Sequence, residues 1–346
     1  MKIWFNRWFT TVLHYIEMIR ENEDKRKFII YGSHPNPDAL YLQKCDYSFI
    51  EPKLSGEEYI GFCLEFCQTH KIDIFVPHKE NVLISKRLAM FEAIGVRVLV
   101  CPDSSLMEMM DNKAKVYEEL IMRTELSLFS IPDYHVVNNV RDFKQAYESL
   151  KKKGHKVCFK PVTGEGAAGF RVVKDHMDSI EQLFGYAVGY QIPYDYACKI
   201  LSQQETFPDL MVLEYLEGRE YSIDCLASKE KLYAAIPRMK GDGRIRELVH
   251  HDELMQLAKA FHDVYKVPYV FNIQVKYNQD VPKLLEINPR MSGGLHISCL
   301  SGINFPYLAI KILLGEKLDS ITPRFGIRAS HIEQELIIKD TWRQAL

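Results

Sequence analysis

Short apolar runs alternate with amphipathic stretches through the first hundred residues. KIWF, KFIIYG, IDIFVP and VRVLV read as strands, while Val12 to Ile19, Tyr59 to Cys67 and Val82 to Ala93 carry their apolar residues at helical spacing. This βαβα order predicts a parallel sheet with helices on both faces, a Rossmann-like domain over residues 1–104. The turn after the first strand is Asn6-Arg7-Trp8-Phe9-Thr10, with no glycine that would let a pyrophosphate approach the backbone. A nicotinamide or flavin dehydrogenase is therefore disfavoured.

Beyond Cys101-Pro102-Asp103 the pattern changes, and residues 105–346 read as α+β. A helix is predicted around Lys113 to Met122, a strand near Ile131 to Val137, and a polar helix up to Lys153. Strands then dominate in HKVCFKPV, FRVVK, LMVLEYL, EYSIDCLAS and KLYAAIPRM. A helix returns over Asp252 to Tyr265, with Leu254, Leu257, Ala258, Phe261 and Val264 on one face and Asp252 as N-cap. The last two strands, VFNIQVKYN and VPKLLEINP, join through a hairpin turn at Asn278-Gln279-Asp280.

Composition narrows the partners. Of the 346 residues, 47% are apolar and 26% charged without low-complexity tracts, the profile of an ordered globular chain. Lys and Arg (44) nearly balance Asp and Glu (46), which argues against nucleic acid or an anionic membrane as partner. The 8 cysteines are scattered, and Cys63 and Cys67 are spaced for one helix face rather than a zinc knuckle, as expected of thiols in a reducing compartment. The apolar N-terminus is interrupted by Asn6, Arg7, His14, Glu17 and Arg20, and no stretch approaches the roughly 20 apolar residues of a spanning helix. A cytoplasmic protein is expected, with its oligomeric state open and a homodimer as one form it could take.

The candidate chemistry centres on Lys283-Leu284-Leu285-Glu286-Ile287-Asn288-Pro289-Arg290. On a strand Glu286 and Asn288 point to one face and Leu285 and Ile287 to the other. A carboxylate and an amide so placed suit a hard cation such as Mg2+, which takes oxygen ligands and completes its octahedron with phosphates and water. Antiparallel pairing would bring Gln274 beside Glu286, and Pro289 ends the ladder so that Arg290 projects from its end. An edge strand with both polar side chains solvated is the competing reading. The segment FKPVTGEGAAGF is a glycine-rich connection between two strands, not a P-loop, and could cover phosphates with Lys160 supplying charge. In VLEYLEGREYSID an apolar strand runs into a short connection that could present its backbone to an adenine edge, with Glu220 accepting from ribose hydroxyls; a plain surface turn fits as well.

Taken in order, these segments resemble the ATP-grasp superfamily, especially the branch of carbamoyl-phosphate synthetase, biotin carboxylase and small carboxylate-amine ligases. The resemblance implies a Rossmann-like pre-ATP-grasp domain over 1–104, then an ATP-grasp fold over 105–346 with a mobile lid lobe at about 156–213. It implies that Lys113 and Lys160 contact ATP and that Gly164, Glu165, Gly166 and Ala167 belong to the phosphate-covering loop. Glu214, Tyr215 and Leu216 would form the adenine hinge, and Glu220 the ribose carboxylate. Gln274, Glu286 and Asn288 would hold Mg2+ or Mn2+, with Arg290 facing the transferred phosphoryl group. Because the sequence ends soon after the ATP-grasp unit, a stand-alone ligase is expected rather than a carboxylase.

Arg238, Arg244 and Arg246 could form a clamp on substrate or triphosphate; a solvated loop is nearly as good a reading for Arg244 and Arg246, and Arg238, at a strand end, has the better claim. His250-His251-Asp252 reads as a helix-capping turn. The expected activity is an ATP-dependent ligase that activates a carboxylate as an acyl phosphate for attack by an amine, with Arg290 and Arg238 as catalytic residues. An ATP-grasp kinase and a non-catalytic nucleotide-binding protein are the alternatives.

Overall fold

The computed structural model describes residues 1–164, 166–175 and 190–338. Contacts divide the chain into two compact units, Met1–Met110 with Tyr221–Gln274 and Ile287–Leu346, and Asp111–Glu220 with Val275–Glu286. The single cut after residue 104 drawn from the sequence does not follow this division, because the first unit gathers three separate pieces of chain.

The first unit opens with β1 (Lys2–Asn6), α1 (Val12–Arg20), β2 (Ile29–His34), β3 (Tyr47–Ile50), α2 (Gly56–His70), β4 (Ile74–Pro77), α3 (Asn81–Lys86), α4 (Leu88–Ala93), β5 (Arg97–Val98) and α5 (Ser104–Asp111). The strands form a parallel sheet in the order β3-β2-β1-β4-β5, the Rossmann-like arrangement that the alternation predicts. Ile3, Trp4 and Phe5 of the central strand are fully buried, as expected where helices cover both faces. Trp4 stacks between Phe66 and Phe75 at centroid separations of 4.2 and 4.4 Å. Cys63 and Cys67 are buried on α2 and every cysteine among the described residues is a free thiol. Three details depart from the pattern reading: β3 and α5 are additional, and the helix read over Val82 to Ala93 breaks at Arg87 (φ −109°, ψ 12°).

The second unit contains α6 (Lys113–Met122), β6 (Tyr134–Val137), α7 (Val140–Lys152), β7 (Val157–Pro161), β8 (Arg171–Lys174), β9 (Gln191–Pro193), α8 (Tyr194–Leu201) and β10 (Leu210–Glu214). Its sheet order is β6-β10-β7-β8-β9. Phe143, Ala146, Tyr147 and Leu150, at helical spacing on α7, pack with Val157, Phe159 and Val212 to form its core. The lid lobe expected at 156–213 falls here, with residues 176–189 outside the described set.

The chain continues through β11 (Glu220–Ala227), β12 (Leu232–Lys240), β13 (Arg246–Leu248), α9 (Asp252–Tyr265), β14 (Tyr269–Asn278), β15 (Val281–Asn288), α10 (Leu295–Ser298), α11 (Phe305–Leu313) and β16 (Ile327–Ala329). The remaining sheet has the order β15-β14-β11-β12-β13-β16. Gln279 and Asp280 separate β14 from β15, and Gln279 adopts a left-handed φ of 54°, so the turn lies where the sequence puts it. The cap of α9 differs: His251 is the extended N-cap residue and Asp252 the first helical one, where its charge complements the helix dipole instead of capping it. No helix among the described residues is long and apolar enough to cross a membrane.

Candidate active site

Two lysines meet in the second unit. Asn112 caps α6 by accepting the amides of Ala114 and Lys115 at 3.0 and 3.2 Å, which fixes Lys113 in the first turn. The Lys113 amide bonds to Val162 O at 2.9 Å and its Nζ donates to Gly164 O at 2.8 Å. That ammonium is 3.6 Å from Glu286 Oε2, an open ion pair. Lys160, on β7, donates its Nζ to Leu285 O at 3.0 Å. Desolvation pulls the Lys160 ammonium down to about 8; Glu286 opposes the shift, and Lys113 adds to it. Both cations thus rest on carbonyl oxygens, which a phosphate oxygen would outcompete as acceptors.

The connection from β7 to β8 follows directly. Gly164, Gly166, Ala167 and Gly169 all have left-handed φ values, of 109°, 64°, 62° and 75°. Three of these four residues are glycines, which reach such φ values at no steric cost. Glu165, expected in this loop, lies outside the described residues.

The segment expected to form an adenine hinge is partly committed to structure. Glu214, only 1% exposed, receives Lys283 Nζ on both oxygens at 2.7 Å, Asn278 Nδ2 at 2.6 Å and the Asp133 amide at 3.0 Å. Burial alone would raise its pKa, but Lys283, the Asp133 amide and Asn278 together hold it below the ordinary value. The Tyr215 amide bonds to Lys156 O at 2.7 Å, and Lys276 Nζ lies 5.1 Å from the Tyr215 ring centre. The Glu214 carboxylate is therefore a lock on the β14–β15 hairpin, and a hinge function would fall to the backbone around Leu216. Asp133, His155 and Glu214 lie close enough to suggest a metal. Lys283 already neutralises Glu214, however, and Asp133 takes His155 Nε2 at 2.9 Å and Lys153 Nζ at 3.1 Å, so the cluster is an ion-pair network.

A second ionic centre lies in the first unit. The register of β11 against β12 pairs Ser222 with Arg238, which puts Asp224 and Arg238 on one face. Asp224 is fully buried and accepts Ser292 Oγ at 2.7 Å, Asn272 Nδ2 at 2.7 Å, Ser298 Oγ at 2.6 Å and Arg238 Nη2 at 3.2 Å. Arg238, 4% exposed, also donates to Ser298 at 3.2 Å and to Ser292 at 3.4 Å. Its guanidinium lies flat beneath Gly294, where a Cβ would fall 2.6 Å from Cζ, Nη1 and Nη2. Arg238 is thus a post under the loop that follows Arg290, in place of the open clamp expected from its strand-end position. The same loop is tied to α1 by Thr11 Oγ1 donating to Gly293 O at 2.9 Å and by Tyr15 OH donating to Ser292 O.

Of the expected site residues, Lys113, Lys160, Gly164 and Glu286 come together within the second unit, with Glu220 electrostatically coupled to Lys160. Gln274, Glu286, Asn288 and Arg290 are all half-buried. Gln274, Asn288 and Arg290 belong to the first unit. Arg290 Nη1 donates to Met291 O at 3.3 Å. Asp224 is the important residue missed from sequence. An acid inside the apolar run Ile223-Asp224-Cys225-Leu226 signals a buried partner, but the partner emerges only once the β11–β12 register is known.

Residues 206–335 match the family described as ATP-grasp in the biosynthetic pathway with Ter operon. The carbamoyl phosphate synthase large chain of Clostridium acetobutylicum is 24% identical over 199 residues, 53% of this chain and 17% of that relative's length. This chain therefore spans less than a fifth of the curated relative it matches. Among solved structures, an ADP complex of N5-carboxyaminoimidazole ribonucleotide synthetase superposes with a TM-score of 0.66 at 13% identity, covering 93% of this chain and 79% of the other. The L-amino acid ligase of Bacillus licheniformis gives a TM-score of 0.61 at 14% identity, over 90% and 74% of the two chains.

Proposed function

We propose that this chain, which has the ATP-grasp fold, is a Mg2+-ATP-dependent ligase that joins a small-molecule carboxylate to an amine. The observation that carries the reading is the pair Lys113 and Lys160, held by carbonyl oxygens beside Glu286 and next to a loop with repeated left-handed residues. Such a corner suits a polyphosphate: the two ammonium groups bind phosphate oxygens, and the loop amides complete the cradle. Anion binding would also relieve the charge repulsion and desolvation that depress Lys160.

On this reading Glu286 supplies an oxygen donor of the kind a hard cation prefers, and the sequence offers Asn288 and Gln274 as further oxygen donors. Half-buried carboxylate and amide oxygens fit Mg2+ or Mn2+ better than a soft metal. When bound, the cation neutralises charge on the phosphates. In the proposed reaction a substrate carboxylate oxygen attacks the γ-phosphorus of ATP and the bond to ADP breaks. The amine then attacks the acyl carbon and phosphate leaves. Arg290 orients the carboxylate through its planar guanidinium, and Arg238 holds the loop that carries it.

The test is ADP release from Mg-ATP with pooled carboxylates, with and without pooled amino acids and ammonia. Release that requires both pools supports the ligase. Release with a stable phosphorylated product and no amine requirement identifies a kinase instead, and nucleotide binding with no turnover against any pool leaves a binding protein.

A further inference from the structure

A cavity of about 470 Å³ lies within the first unit, against β5. None of its lining residues belongs to the phosphate corner, the proposed cation ligands or the Asp224–Arg238 centre. Arg97 and Val98, consecutive on β5, both line it although a strand turns their side chains to opposite faces. The cavity therefore wraps the edge of the parallel sheet, where β5 is the last strand. The Arg97 and Leu99 amides bond to Asp73 O at 3.0 Å and Phe75 O at 2.8 Å, so the alternation of the ladder turns the Val98 N–H the other way, toward that edge. β5 is only two residues long, too short to template a strand from another chain. A compact molecule is the occupant that fits.

Three polar side chains meet at this cavity: Arg97 of β5, Glu92 near the end of α4 and Tyr269 at the start of β14. Among the described residues none of the three has an ion pair or a side-chain hydrogen bond. Desolvation, with Cys101 and Glu92, pushes the Tyr269 hydroxyl up to about 12 against the pull of Arg97, which puts the hydroxyl in the field of both charges. Leu88, Val96 and Leu313 supply an apolar wall. Tyr269 is also held at a left-handed φ of 69°, a conformation costly for an aromatic residue and of the kind that collects at ligand sites. One space is thus bordered by an unpaired cation, an unpaired anion, a hydroxyl and an apolar surface.

We propose that this cavity binds an α-amino acid with an apolar side chain, as its zwitterion. Arg97 and the Val98 N–H take the carboxylate, Glu92 takes the ammonium, and the side chain lies against Leu88, Val96 and Leu313 beside the Tyr269 ring. A ligand with a single charge would leave either Glu92 or Arg97 unanswered, whereas a zwitterion answers both with charge-assisted hydrogen bonds. The volume falls in the range of roughly 300–1,000 Å³ usual for small-molecule sites. The site does not rest on the ligase reading, because it shares no residue with that machinery.

The full chain is titrated calorimetrically, without nucleotide, with L-leucine and L-phenylalanine. Each is accompanied by its amino alcohol, which lacks the carboxylate, and by the carboxylic acid that lacks the amine. The expected result is saturable binding of at least one amino acid, weakened about tenfold in Arg97→Met, in Glu92→Gln and in each of its two analogues. Both side chains are exposed and unpaired, so thermal midpoints should not move, and either variant decides the matter if the other unfolds. Absence of binding by both amino acids overturns the proposal. Wild-type affinity in the folded variants overturns it as well, and moves the amino acid to another site, such as the substrate site of the ligase reading. Analogues that bind as tightly as their parent amino acid overturn the zwitterion assignment.

Discussion

Lys160 and Arg238 are both cations withdrawn from water, and their surroundings differ in kind. Arg238 has a buried carboxylate at 3.2 Å, two serine hydroxyls and a glycine pressed against its plane. Lys160 has a backbone carbonyl at 3.0 Å, a second ammonium nearby and a pKa pulled to about 8. A buried charge that is fully paired specifies local structure, because removing a partner strands the other charge. A desolvated charge resting on a neutral acceptor stores a cost that a ligand can recover. Among the carboxylates, Glu214 is enclosed by Lys283 and Asn278, whereas Glu286 faces the Lys113 ammonium at 3.6 Å.

The sharpest way to break the comparison is to strand Arg238. Asp224→Ala is expected to cost about 3–5 kcal/mol of folding free energy, measured by chemical denaturation, and Asp224→Leu combined with Arg238→Met should recover most of it. If Asp224→Ala is nearly neutral, the centre is not a structural ion pair. Next in size, Glu286→Gln should leave the denaturation midpoint unchanged while lowering Mg2+-dependent ADP release roughly 100-fold. A large loss of stability with normal turnover would reverse the roles assigned to the two centres. Gly294→Ala should cost about 1–3 kcal/mol by forcing Arg238 aside. The glycine's φ of −103° is open to any residue, so the penalty comes from the guanidinium beneath it, and Arg238→Ala should relieve the clash.

How far the sequence disclosed these sites depends on how their residues are strung along the chain. The run Glu286 to Arg290 and the loop Gly164 to Gly169 are legible because their chemistry sits in consecutive residues. The Rossmann-like sheet was legible from its alternation, except β3, whose strand Tyr47–Ile50 has only Ser48 and Phe49 buried and so lacks a strong apolar run. The Asp224–Arg238 pair required the strand register, and the cavity against β5 joins Glu92, Tyr269 and Leu313, which no local pattern connects. For Glu214 the sequence suggested a backbone role in a hinge, with no sign that packing assigns its carboxylate to Lys283.

The central claim is that the Lys160 corner holds nucleotide phosphates, and Mg-ADP affinity measured by calorimetry across pH tests it most directly. With the ammonium titrating at about 8 in the free protein, affinity should be flat below that pH. Above it affinity should fall about tenfold per pH unit, until the pKa of the bound state is reached, because the anion binds the protonated form. In Lys160→Met the affinity should be weaker throughout and the fall should vanish. An affinity independent of pH in the wild type, or equal in a folded Lys160→Met, would contradict the account.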